Sequence, residues 1–150
     1  MTADAPVNAT MRRFGYPDLA LAETAHWAVL VRAQQATLGA LVLACRDPAD
    51  SLSKISAEAF GEMKSITGRI ERCLKAAFAY DKLNYLALMM VDPDLHFHVL
   101  PRYATARQCA GVEFVDPGWP GVPNLAHVPQ LPDGALAQVT AQLRRHWPAA

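Results

Sequence analysis

Two imidazoles and a carboxylate occur at alternate positions of one short stretch, Asp94-Leu95-His96-Phe97-His98-Val99. Polar and apolar residues that alternate with a period of two describe a β-strand with one covered and one open face. Leu95, Phe97 and Val99 then point into a core, and Asp94, His96 and His98 form a row on the other side. Same-face neighbours on a strand are roughly 6.5–7 Å apart, so one reacting group can touch two adjacent imidazoles.

Three chemistries compete for that row. As metal ligands, Asp, His and His have the right donor types for zinc or non-haem iron. A straight strand, however, spreads the three over about 13 Å, and an ion needs each donor at about 2 Å. His96 and His98 alone would require a distant third ligand. As structural residues, each histidine would hydrogen-bond a backbone group, a role more natural for one isolated histidine than for two in register. As reactive groups, the pair suits attack on phosphorus: an imidazole with a pKa near 6.5 is largely neutral at pH 7 and nucleophilic without a strong base. The second imidazole can donate a hydrogen bond to a phosphoryl oxygen or leaving group, and further donors around the phosphorus would supply most of the remaining stabilisation.

The elements that must position the row follow from the patterning. Residues 1–16 are small and polar and are expected to be flexible. Leu19–Glu23, His26–Arg32 and Leu38–Ala44 read as three strands, the last two apolar and joined through a turn over Arg32–Thr37. After a loop, Ser56 is a natural N-cap, with Ile55 and Phe60 spaced to clasp the first turn. From Ala57 to about Tyr80, apolar residues recur at helical spacing (Phe60, Met63, Ile66, Ile70, Cys73, Leu74, Ala77, Phe78), which predicts a helix of about 36 Å. Lys82–Met89 is a fourth strand. Asp92-Pro93 makes a turn into the histidine strand, so residues 82–103 form an antiparallel hairpin. Residues 116–132 hold five of the eleven prolines and Trp119, and are expected to form an ordered strap, walling a site or meeting a second subunit. A last helix starts near Asp133, with Leu136, Val139, Leu143 and Trp147 on one face. The order β-β-β-α-β-β-α implies a single α+β domain over residues 1–150, built on a five-stranded antiparallel sheet with one long and one C-terminal helix.

The bulk composition narrows the partners. With 52% hydrophobic and 19% charged residues, the 150-residue chain is globular rather than disordered. Its net charge of zero, without runs of one sign, argues against a nucleic-acid polymer. No stretch reaches the roughly 18–20 apolar residues of a membrane span, and the first 13 residues lack the apolar centre of a signal peptide. The three cysteines, Cys45, Cys73 and Cys109, are odd in number and widely spaced, as expected of reduced thiols in the cytoplasm.

The run Asp94-Leu95-His96-Phe97-His98-Val99-Leu100-Pro101-Arg102 resembles the signature of the histidine triad (HIT) family, with Asp94 where the first histidine would stand. The resemblance extends over most of the chain. Trp27–Leu43, with Gly39 near a strand start, is similar to the family's nucleotide-side hairpin, and the long helix, the Asn84 strand and the histidine strand follow in the family's order. The resemblance implies a homodimeric hydrolase or transferase acting on nucleoside phosphate conjugates such as diadenosine polyphosphates or phosphoramidates. It assigns His96 as the nucleophile at the α-phosphorus, His98 as its phosphate-side partner, and Asp94 as the residue that orients His96. Asn84, Arg32, Arg102 and Trp119 are the substrate-binding candidates. Gly39 is followed by Ala40 where relatives often have histidine, and Met89–Pro93 offers no Ser, Thr or Gln to phosphate. A binding module with little or no catalysis is the alternative. No resident cofactor is implied, and a divalent metal ion would arrive only with the substrate.

Overall fold

The computed structural model describes residues 5–149. A five-residue helix α1 (Ala9–Arg13) precedes the strands β1 (Ala20–Glu23), β2 (Trp27–Val31) and β3 (Leu41–Cys45). Then come the helix α2 (Ala57–Phe78) and the strands β4 (Lys82–Leu86) and β5 (His96–Arg102). A small hairpin, β6 (Arg107–Cys109) and β7 (Val112–Phe114), leads to the strap and to α3 (Ala135–His146). The five main strands form one antiparallel sheet in the order β1-β2-β3-β5-β4, an α+β arrangement as the patterning predicts. β6 and β7 pair separately through Ala110-Gly111, both at positive φ, which the tight turn demands of its two central residues.

The sheet has two unlike faces. On one, Trp27, Val29, Leu41, Leu43 and Val99 meet Ile66, Ile70 and Leu74 of α2 and Val139 and Leu143 of α3 in the main core. The 22 residues of α2 make a rod of about 33 Å. The Ser56 hydroxyl caps its start by accepting from the Ala59 N–H, and Trp27 fastens it to β2 by donating its indole N–H to the Ala59 carbonyl at 2.8 Å. Ile55 is buried beside this start, whereas Phe60 is 45% exposed and does not close the expected clasp. On the other face a smaller cluster gathers Ala28, Leu30, Val42 and Ala44 beneath Met11 of α1.

Residues 5–16 depart from the flexible segment expected from their composition. Asn8 caps α1 by accepting from the Met11 N–H, and its amide donates to the Cys45 carbonyl at 2.9 Å. Thr10 and Met11 are fully buried. The helix is too short to show a period, and it is held by what lies beneath it rather than by propensity. Residues 1–4, the start of the same expected segment, lie outside the described residues.

Candidate active site

β5 pairs Ala44 with His96 and Val42 with His98, so both imidazoles lie on the α1 side of the sheet. The strand alternation therefore holds from His96 onward. The imidazoles are not open to solvent, being 2% and 7% exposed, because α1 lies over them. The Phe14 ring stands 5.4 Å from that of His96 and 5.6 Å from that of His98. The two imidazoles are edge to face, with centroids 5.2 Å apart.

His96 Nδ1 lies 2.7 Å from the backbone carbonyl of Asp94. A carbonyl oxygen only accepts, so Nδ1 carries a proton, and in the neutral ring the lone pair sits on Nε2. Asp94 itself precedes the strand, and its side chain leaves the row. Its Oδ2 accepts from the Thr10 hydroxyl at 2.9 Å and the Thr10 N–H at 3.3 Å. The carboxylate expected to orient His96 thus anchors α1, while the carbonyl of the same residue fixes the imidazole. The three side chains do not converge, and among the described residues no group of three or more His, Cys, Asp or Glu is placed to hold a metal ion.

Burial, reinforced by the positive charge of Arg32, pushes His98 down to about 4, so it is neutral at pH 7. Its Nδ1 is buried and has no hydrogen-bond partner among the described residues. A cavity of about 210 Å³ opens over the pair, walled by Arg13 and Phe14, by Arg32 and Gln34, and by the turn from Leu88 to Asp92. That turn carries Met90 and Val91 outward, 85% and 78% exposed.

Arg32 leaves the end of β2 in a loop that Gln35 holds from inside. The buried Gln35 amide donates to the carbonyls of Arg32 and Ala40 and accepts from the Gly39 N–H. Gly39 at φ 85° meets Leu74 and Phe78 of α2, where a side chain would not fit. So braced, Arg32 is nine-tenths buried and donates to the Gln34 carbonyl at 2.7 Å.

Three other predicted residues assemble elsewhere. Arg102 donates to both carboxylate oxygens of Asp116, at 2.7 and 3.2 Å, and to Asn84 Oδ1 at 2.8 Å. Asn84, Arg102 and Trp119 line a separate cavity of about 510 Å³ under the strap. Arg102 lies four residues beyond His98 on the same face, about 13 Å along the strand. Its charge is matched by Asp116, whose carboxyl burial alone would raise but whose hydrogen bonds from Arg102, Tyr103 and Gly118 hold below its usual value. Sequence reasoning overlooked Arg13, Phe14 and Gln34, which wall the cavity from the end of α1 and from the β2–β3 loop, and Thr10 of α1, which holds the Asp94 carboxylate. The one local signal for them is Asn8 as a helix cap.

The model of the HIT domain matches residues 16–105, spanning β1 through the histidine strand. The chain belongs to the HIT domain family. Solved HIT structures share its fold at low sequence identity. A histidine triad protein from Sinorhizobium meliloti is 17% identical with a TM-score of 0.72, the alignment covering 95% of this chain and 97% of that one. One from Bradyrhizobium japonicum is 21% identical, also at 0.72, with 95% and 98% covered. A zinc-bound HIT family protein from Mycobacterium smegmatis is 15% identical at 0.53, with 85% and 84% covered. A comparison with curated proteins finds no match. His96 and His98 lie on the cavity floor, and the Asp94 side chain turns away from it.

Proposed function

We propose that this HIT protein is a nucleotide hydrolase or transferase that attacks the α-phosphorus of a nucleoside phosphate conjugate, such as a dinucleoside polyphosphate or phosphoramidate. The observation that carries the reading is the His96 geometry: Nδ1–H donated to the Asp94 carbonyl, with the Nε2 lone pair left beside a neutral imidazole in a cavity.

In the first step the Nε2 lone pair forms a bond to phosphorus, and the bond from phosphorus to the leaving group breaks. The imidazole becomes positively charged in this adduct, and the Asp94 carbonyl, already hydrogen-bonded to Nδ1–H, stabilises that charge. His98, kept neutral by its surroundings, offers one N–H to a phosphoryl oxygen or to the departing atom. Water then attacks the phosphorus, loses a proton to solvent, and displaces His96 as the nucleoside monophosphate forms. Arg32 offsets phosphoryl charge. Asn84, Arg102 and Trp119 form the wall further along the strand, where the leaving portion would extend.

One observation favours the binding-module alternative: the turn from Leu88 to Asp92, which borders the cavity, carries no hydroxyl or amide side chain. Incubation with diadenosine polyphosphates and adenosine phosphoramidates separates the two. Turnover abolished in His96→Ala supports the nucleophile, turnover unchanged in that variant defeats it, and binding without turnover selects the module.

The reading includes a homodimer in the cytoplasm. β4 is an unpaired sheet edge, and beside it Met63, Tyr85 and Phe97 are only partly covered and line a depression of about 290 Å³. Cys45 and Cys73 are buried, and burial raises both thiols to about 11, as suits inert residues in a reducing compartment.

A further inference from the structure

Next to the histidine cavity lies a second chamber of about 260 Å³, which shares Arg13, Phe14, Arg32 and Gln34 with it and extends past Phe14 to Gly15 and Leu19. At about 30 Å³ per water, it has room for eight or nine waters, more than a lone ion occupies. Its lining holds two guanidinium-bearing residues and neither a carboxylate nor a histidine.

The two arginines differ. Arg13 is more than half exposed and lies 3.5 Å from an Asp92 oxygen. Arg32 is nine-tenths buried, has no carboxylate partner among the described residues, and leaves its Nε without any hydrogen-bond partner. A guanidinium does not deprotonate in a protein, so it meets burial only by finding an anion. Arg102, equally buried, has Asp116 for that purpose, and Arg46 has Glu23. Arg32 has only the Gln34 carbonyl. Burial accordingly lowers the Arg32 pKa, and no carboxylate acts in the opposite direction. A neutral hydroxyl placed in the chamber would leave this charge unmatched, whereas a phosphate would accept charge-assisted hydrogen bonds, roughly twice as strong as neutral ones.

We infer that the second chamber is an anion subsite, and that the ligand is a nucleotide bearing a further phosphate on its ribose, held by Arg32 and Arg13, besides the phosphoryl group at His96 and His98. The inference rests on the nucleotide reading above and sharpens it to a substrate class: 2′- or 3′-phosphorylated nucleoside 5′-phosphates and their conjugates.

The test is isothermal titration of the whole protein at low salt with adenosine 5′-monophosphate, adenosine 5′-diphosphate, and the 2′,5′- and 3′,5′-bisphosphates of adenosine. One bisphosphate is expected to bind at least tenfold tighter than the monophosphate, with the diphosphate gaining less than threefold. That advantage should fall below threefold in Arg32→Gln and shrink in Arg13→Gln, an exposed position whose change spares the fold. Arg32→Lys, which keeps the charge, should retain part of it. Equal affinity for monophosphate and bisphosphates overturns the subsite and leaves the nucleotide reading standing. So does an equal gain from the diphosphate, or an advantage that persists in folded Arg32→Gln. Failure of every adenosine nucleotide to bind overturns both.

Discussion

Asp94→Asn separates two ways in which this residue could serve His96. Both Thr10 donors reach the same carboxylate oxygen, Oδ2. An asparagine can present its single carbonyl oxygen there, so both bonds survive in neutral form. Hydrogen bonds to a charged group contribute about 1.5–3 kcal/mol and neutral ones about 0.5–1.5, giving a loss of about 1 kcal/mol per bond and about 2 in all. For a domain of this size each kcal/mol shifts the melting point by about 2–4 °C, so the variant should melt about 4–8 °C lower. The backbone carbonyl that accepts from His96 Nδ1–H is untouched by the substitution. The His96 tautomer, read from long-range nitrogen–proton NMR correlations, should be unchanged, and kcat on an adenosine phosphoramidate should stay within about threefold. An imidazole oriented by the carboxylate itself would behave otherwise, since the equivalent change in a serine protease triad lowers kcat by about 10⁴ through the wrong tautomer. A hundredfold loss of kcat, or a switched tautomer, with the melting point unmoved would refute the backbone assignment.

Two histidines should tilt stability with pH in opposite senses. The unfolded chain protonates His98 below about 6.5 and the folded chain only near 4, so its stabilising contribution is complete above 6.5 and is lost as pH falls toward 4. The span corresponds to about 3 kcal/mol, and urea titrations of wild type and His98→Asn should show the acid slope flattened in the variant. His26 donates its Nδ1–H to Asp47 at 2.9 Å and holds Nε2 3.3 Å from a Glu62 oxygen, and the Asp47 bond raises its pKa against the lowering effect of burial. Its contribution is therefore full below 6.5 and is lost as pH rises through the elevated folded value; partial exposure keeps it below about 1 kcal/mol, and His26→Gln should abolish it. Gly39→Ala would place a methyl 2.9 Å from the Phe78 ring at φ 85°, so a loss of about 2–4 kcal/mol is expected in thermal or urea unfolding.

What could be read from the residues is what rests on local repetition. The α2 stripe, the Ser56 cap and the two-residue alternation of β5 are periodic or adjacent in the chain, and each appears close to its expected place. Asp94 continued that alternation on paper, but Thr10, far away in the chain, captures its carboxylate, and the strand begins two residues later. α1 has no period to detect, being five residues long and ordered by tertiary burial. Arg102 shares parity with the histidines, yet Asp116 engages it, a pairing across the strap that sequence spacing does not announce. The β6–β7 hairpin is three residues a side and turns on Ala110-Gly111, weaker punctuation than Asn-Gly or Asp-Gly.

The short helix over the histidines has a practical consequence for anyone handling this chain. The family's sequence match starts at residue 16, just past Phe14. A polypeptide trimmed to that limit would keep the residues of every strand of the sheet and both imidazoles. It would nevertheless have lost its lid: no Arg13, no aromatic ring against the imidazoles, and no Thr10 to hold the Asp94 side chain. Inactivity of such a fragment would say nothing about His96, and an N-terminal fusion that strains residues 8–14 invites the same mistake.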